Sequence, residues 1–200
     1  MFKHIILQGS LWLALLLAGC GDLKLQTDAD YDASVLDPHV DMTAWEYLES
    51  RSDLFSQFME AVELVGMKEY FTQTERHYTF LALTNTAMGN FLSAAGCSTI
   101  GECSAEAVEN LIRYHIVDGE YTTYGFLPVE PIFVLTLRRG EQGLMTMLAR
   151  KNPWMADAGK VVVNDTGSNG SSPMRLAVSS NILATNGAVH VFDNYCYYKK

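Results

Sequence analysis

Basic residues are scarce in this chain: 14 Lys and Arg stand against 23 Asp and Glu, leaving a formal charge of −9. Phosphate backbones are bound through clustered Lys and Arg, so nucleic acid is excluded as an expected partner. Long apolar runs are missing too. The stretch from Ile5 to Ala18 is interrupted by Gln8-Gly9-Ser10 and falls short of the ~20 apolar residues a membrane-spanning helix needs. The five histidines are scattered and no C-x-x-C pair occurs, so no metal site and no cofactor are expected.

What is present at the N-terminus is an address. Lys3 supplies a positive start, Leu11-Trp12-Leu13-Ala14-Leu15-Leu16-Leu17 an apolar heart, and Ala18-Gly19 an unhindered cleavage point, the pattern of a signal peptide. Leu17-Ala18-Gly19-Cys20 resembles the lipobox of bacterial lipoproteins, which implies that Cys20 is lipidated and becomes the new N-terminus. Each buried methylene contributes roughly 0.8 kcal/mol, so a multiply acylated cysteine is a firm membrane anchor. The expected organisation is a signal peptide over residues 1–19, an acidic tether over 20–40 and one domain over 41–200. Loss of Lys3 takes the charge to −10, from 13 basic and 23 acidic residues. The stretch from Asp22 to Asp41 carries Asp22, Asp28, Asp30, Asp32, Asp37 and Asp41 against Lys24, which suits a solvated spacer. Asp28-Ala29-Asp30-Tyr31-Asp32 imitates the start of a calcium loop, but Ala33 and His39 stand where the turn glycine and closing glutamate belong.

Further along, local signals alternate between helix and strand. Thr43-Ala44-Trp45-Glu46 spells a capping box opening a short helix. A second helix starts at Ser52, with Leu54, Phe55, Phe58, Met59, Val62 and Val65 on one stripe and Gly66 as C-cap. Tyr78 to Leu83 suits a buried strand, and Thr84 can cap a helix through Ala87, Met88, Phe91 and Leu92. Ser104 caps the next, whose inner face is Val108, Leu111, Ile112 and His115 and whose pattern runs until Asp118-Gly119 breaks it. Tyr121 to Arg139 is expected to be mostly irregular because of Gly125, Pro128 and Pro131. Strands are expected at Leu144–Ala149 and Val161–Val163, separated by a Pro153 turn. Asn186-Gly187 reads as a two-residue hairpin turn with positive φ at both positions. Of Cys97, Cys103 and Cys196, the first two could close a short loop, but three pairings are open, as are small buried thiols.

Three segments together resemble the fasciclin (FAS1) domain family. They are Thr79-Phe80-Leu81-Ala82-Leu83-Thr84-Asn85-Thr86-Ala87-Met88, then Leu111-Ile112-Arg113-Tyr114-His115-Ile116-Val117, then Ala184-Thr185-Asn186-Gly187-Ala188-Val189-His190-Val191-Phe192-Asp193. The match runs from about Asp41 to the C-terminus. Leu81, Leu83, Thr86 and Met88 depart from the family's first motif but keep its apolar pattern. The resemblance implies an α+β fold, a β-sandwich-like wedge with short helices at one end, and binding or adhesion without catalysis. It also implies candidate binding residues at Tyr114 and His115, a dipeptide linked to receptor contact in animal relatives, and at Thr84 and Asn85. The residues themselves suggest a structural use as well: His115 continues a buried face, His190 sits opposite Val189 and Val191, and Asn85 and Asn186 suit turns.

One enzyme motif remains. Asp165-Thr166-Gly167-Ser168 after Val161-Val162-Val163 has the spelling of an aspartic-protease turn, which needs a second carboxylate to share a proton. No second copy occurs, so only a homodimer could complete it; the loop from Asn164 to Ser172 is long and polar, and Asn169-Gly170-Ser171-Ser172 within it is expected to be mobile. Asn164-Asp165-Thr166 and Asn169-Gly170-Ser171 also spell glycosylation acceptors. The expected function is a lipid-anchored binding or adhesion module of the bacterial envelope, at the outer membrane and surface-exposed, recognising a glycan, a matrix component or a partner envelope protein. The alternatives are an accessory scaffold of an outer-membrane carbohydrate uptake system and, more remotely, the dimeric protease using Asp165.

Overall fold

The structure, a computed structural model, describes residues 37–152 and 159–200. Cys20, the leader, the Asp28–Asp32 pattern and the Pro153 turn lie outside the described residues.

Helix α1 (Ala44–Ser50) starts at the capping box: the Thr43 N–H donates to Glu46 Oε2 at 2.7 Å, and the Glu46 N–H donates back to Thr43 Oγ1 at 3.3 Å. Helix α2 (Ser52–Leu64) buries Phe55, Phe58, Ala61 and Val62, while Gly66 takes a φ of +68° just beyond it. Short α3 (Lys68–Thr72) buries Phe71. Strand β1 (Tyr78–Leu83) follows, then α4 (Asn85–Ala95), capped by the Thr84 hydroxyl. A single 3-10 turn leads to α5 (Ala105–Tyr114), capped by Ser104. Side-chain caps of this kind satisfy amide donors that the first helical turn leaves open, typically worth ~1 kcal/mol each.

The strands form two four-stranded sheets. The first has the order β2-β1-β8-β7, built from β2 (Ile116–Asp118), β1, β8 (Gly187–Phe192) and β7 (Ser179–Ala184), with β1 parallel to β8. Every residue of β1 and β8 is buried, as a strand covered on both faces requires. Helices cover one face: Phe71 of α3 stacks on Phe80 of β1 with centroids 4.6 Å apart, while Trp45 and Phe58 meet Phe71 edge-on. Fully burying side chains of this size is worth about 1.5–3 kcal/mol each. The second sheet is an antiparallel meander of β3 (Ile132–Leu135), β4 (Leu144–Arg150), β5 (Lys160–Val163) and β6 (Arg175–Leu176). Its inner face supplies Val134, Met145, Met147, Ala149, Val161 and Val163 to the core. The sheets meet where Val117 bridges Thr136 and the Leu137 N–H donates to Ile116 O at 2.9 Å.

Four sequence expectations change. The stretch from Tyr121 to Arg139 is not mostly irregular at its end: Pro131 directly precedes β3, a position where its missing N–H costs no ladder bond. Ile116-Val117 leaves the helix for β2, because β1 needs an antiparallel neighbour from Tyr78 to Phe80. The hairpin turn is Thr185-Asn186, since Ala184 pairs with Gly187, and of the turn pair first expected only Gly187 has positive φ, at 140°. A Cβ on Gly187 would lie 1.9 Å from the Tyr78 carbonyl oxygen, so glycine is required there by the close approach of β1. Finally, Asn164 to Ser172 is woven into the domain, as detailed below.

The compact unit begins at Pro38. Residues 38–40, read from sequence as tether, line the free edge of β7: the Leu183 N–H donates to Pro38 O and the Val40 N–H to Leu183 O, both at 2.8 Å. Covering an edge in this way removes a template for unwanted strand pairing. Cys97 and Cys103 form a disulfide, and Cys196 is a buried free thiol whose pKa burial pushes up to about 12.

Candidate functional site

Six polar residues of the three fasciclin-like segments, Thr84, Asn85, Tyr114, His115, Asn186 and His190, are hydrogen-bonded within the fold. Thr84 accepts the Ala87 N–H and donates to Asp193 Oδ1 at 3.0 Å, tying the start of α4 to the end of β8. Asn85 accepts the Gln57 N–H at 3.0 Å and donates to Asp53 O at 3.1 Å, clamping α4 to α2. Asn186 accepts the Ala44 N–H and donates to Phe71 O, both at 2.8 Å, so one buried amide joins the hairpin to α1 and α3. Tyr114 is buried; its hydroxyl donates to Leu144 O at 2.9 Å and accepts from Asn164 Nδ2 at 3.1 Å. Burial raises its pKa well above the usual phenol range.

His115 and His190 are fully buried and bonded through both ring nitrogens. In His115, Nδ1–H donates to Leu111 O at 2.7 Å and Nε2 accepts the Cys196 N–H at 2.9 Å. The tautomer is reversed in His190, where Nε2–H donates to Tyr121 O at 2.8 Å and Nδ1 accepts the Asn181 N–H at 3.0 Å. Each ring accepts one backbone amide, which only neutral imidazole can do. Burial lowers both pKa values to about 4. His115 thus fastens the C-terminal tail to α5, and His190 fastens the loop after β2 to β7. Asn181, unremarked in sequence, assists by accepting the Thr123 N–H at 2.9 Å from a left-handed conformation with φ of 63°.

The Asn164–Ser172 loop is also built in. Asn164 and Asn169 are buried; Asn169 Nδ2 donates to Asn164 Oδ1 and Leu144 O, both at 2.8 Å. Their side chains are therefore closed to glycosylation in the folded chain. Asp165 pairs with Arg150 at 3.1 Å, so its partner is a guanidinium rather than the second carboxyl a proton-sharing dyad requires. Among the described residues, no group of three His, Cys, Asp or Glu side chains could hold a metal ion, and no helix is long and apolar enough to cross a membrane.

Beyond these internal bonds the surface carries further features, one of them lined in part by Tyr114. One feature is apolar: Phe126, Phe133 and Leu135 are 68%, 64% and 66% exposed, and Tyr124 and Val129 are exposed as well. Phe133 and Leu135 alternate with core-facing Val134 along β3, so they project from the outer face of the second sheet. A second feature is a pair of adjoining clefts between α5, the turn after β3 and the C-terminal tail. The larger, about 480 Å³, is lined by Arg113, Leu137, Arg138, Arg139, Gln142 and Glu106; the smaller, about 120 Å³, by Phe91, Tyr195 and Tyr197 among others. Asn110 and Arg138 line both. The turn carrying the arginines is tight: Thr136 Oγ1 donates to Gly143 O at 2.8 Å, and a Cβ on Gly143 would fall 1.6 Å from Arg138 O. A third cleft of about 410 Å³ lies beside Tyr70, Gln73, Arg76 and Tyr78, but there Arg76 is engaged by Asp118 at 2.7 Å.

Two sheets joined by a β2–β3 bridge, a parallel β1–β8 pair under a layer of short helices, and polar motif residues used as fasteners define an α+β wedge. The family of that wedge is shown by sequence: the chain belongs to the fasciclin domain family, whose model matches residues 53–196. Human periostin is 28% identical over 143 residues, which are 72% of this chain and 14% of periostin, so the chain spans about 14% of that curated relative. Among solved structures, a FAS1 domain pair from the insect cell adhesion molecule fasciclin I shares the fold with a TM-score of 0.55 at 15% identity, over 77% of this chain and 50% of that one.

Proposed function

We propose that this chain is a non-catalytic binding or adhesion module, held at a bacterial membrane through lipidated Cys20 and contacting a glycan, a matrix component or a partner envelope protein. The observation that carries the reading is the division of labour among its residues. Polar groups that could have formed a reactive constellation are consumed by internal hydrogen bonds, whereas large apolar side chains at Tyr124, Phe126, Val129, Phe133 and Leu135 face solvent. Large apolar side chains left in solvent are suited to contact with a partner. Membership of the fasciclin family, and its likeness to a domain pair from a cell adhesion molecule, support the same reading.

The test uses cells that express the full chain or a Cys20→Ser variant. The wild type is expected in the membrane fraction, accessible to added protease on intact cells, and retaining a ligand found on a glycan and protein array. The variant is expected to fold and bind but be released. Absence of any array ligand, or full function from the released form, would defeat the adhesion reading; co-purification only with a membrane receptor would favour the scaffold alternative.

A further inference from the structure

We infer that the paired clefts between α5, the Thr136–Gly143 turn and the C-terminal tail form a subsite for an acidic oligosaccharide, a sugar ring bearing a carboxylate or sulfate. This deepens the binding reading above and rests on it.

Charge distinguishes the place first. In a chain of −9, the larger cleft is lined by Arg113, Arg138 and Arg139 against one carboxylate, Glu106. Arg113 is held by Glu109 at 2.7 Å. Among the described residues, Arg138 and Arg139 have no carboxylate partner; Arg138 instead donates to the neutral side-chain oxygen of Gln142. Two adjacent guanidiniums left without an acid, where acids outnumber bases, are suited to an external anion, because the planar fork matches carboxylate and sulfate oxygens in pairs. The net negative charge elsewhere does not forbid this, since screening at physiological salt confines exposed charges to about 8 Å.

Ring surface comes second. Tyr195 and Tyr197 lie with centroids 5.4 Å apart at 31°, Phe91 closes on Tyr195 edge-on at 5.7 Å, and Tyr197 is 36% exposed. A flat aromatic face beside charged hydrogen-bond donors accepts the apolar face of a sugar while its acidic substituent is paired. An extended acidic peptide would use the arginines but not the rings, so the saccharide is favoured.

Rigidity is the third observation. Both walls are pinned: the tail by the Cys196 N–H on His115 Nε2 at 2.9 Å and the Lys199 N–H on Ser172 Oγ at 2.9 Å, the turn by the Thr136–Gly143 bond at 2.8 Å. A site held this way loses little freedom on binding. Its openness fits a short stretch of a longer chain rather than an enclosed small molecule.

The experiment is binding of the full-length chain, purified in detergent, to trigalacturonic acid, a heparin hexasaccharide, maltotriose and a poly-glutamate peptide, by calorimetry and by NMR shifts of arginine side chains. The expected result is binding of at least one acidic oligosaccharide, weakening with salt, with maltotriose and poly-glutamate at least tenfold weaker. Galacturonate and heparin arms distinguish carboxylate from sulfate. Arg139→Gln, at an exposed position, and Tyr197→Ala are each expected to reduce affinity by about tenfold while leaving thermal unfolding unchanged. Equal binding of poly-glutamate, or acidic-sugar binding indifferent to both variants, would overturn the assignment. Binding of neutral glycans or proteins without any acidic saccharide would also overturn it while leaving the adhesion reading intact; binding of nothing on the broad array would remove both.

Discussion

The two sheets of this domain use their residues in opposite ways. In the first, β1 and β8 are buried at every position, and His190 of β8 with Thr84, Asn85 and Asn186 at the strand ends are all hydrogen-bonded inward. In the second, β3 leaves Phe133 and Leu135 in solvent, and the turn that follows carries two arginines that have no acid partner among the described residues. A buried polar group costs about 1–3 kcal/mol if left unsatisfied, so the first sheet tolerates few substitutions. Surface positions on the second sheet carry no such penalty and are free to serve recognition. The fasciclin-like segments lie mainly on the first sheet and its helices, which is why family resemblance identifies the fold more readily than the ligand.

The largest test of this contrast is acid. Burial depresses His115 and His190 to about 4, whereas unfolded histidine titrates near 6.5. Between those values the unfolded chain binds more protons, so stability is retained above pH ~6.5 and falls as pH drops toward ~4, by on the order of 3 kcal/mol per histidine. Urea midpoints across that window should shift steeply, and less so in a His190→Gln variant; an unchanged pH slope in that variant would contradict the role given to the ring.

Next in size, Phe80→Ala in the first sheet should cost about 3–5 kcal/mol, measured by denaturant unfolding, because Phe71 stacks directly on it. Replacing Cys97 and Cys103 together with serine should cost about 2 kcal/mol, since the bridge closes a loop with a sequence separation of 6. Smallest, Phe133→Ser with Leu135→Ser should alter stability by no more than ~0.5 kcal/mol yet reduce capture by a partner or self-association. A strong loss of stability there would erase the distinction between the sheets.

Much of the fold was legible locally. Thr43, Thr84 and Ser104 each announced a helix because a hydroxyl before an apolar stripe has one favourable use, and the continuous apolar run at Tyr78 signalled a strand covered on both faces. β3 was not legible, since Pro128 and Pro131 dominate its approach and its stability comes from pairing with β4 and from burying Val134. The same holds for the Asn164–Ser172 loop, polar in composition yet anchored by buried Asn164 and Asn169 through partners at Tyr114, Leu144 and Thr146. The clefts gave one faint signal, the Arg138-Arg139 pair in an acidic chain and the tyrosines of the last residues, separated by more than fifty positions and joined only by folding.

By itself the sequence determined the leader pattern, the charge balance, the helix starts, the buried strand and the family, because each depends on neighbours in the chain or on total composition. Tertiary structure decided which cysteines pair, that Asn186 rather than Gly187 completes the turn, that Tyr114 and His115 face inward, and that Arg138 joins the arginine-lined cleft to the aromatic one. Those outcomes depend on which distant backbone groups arrive within hydrogen-bond reach. A side chain's chemistry states what it can bond, and only the packed fold supplies the partner.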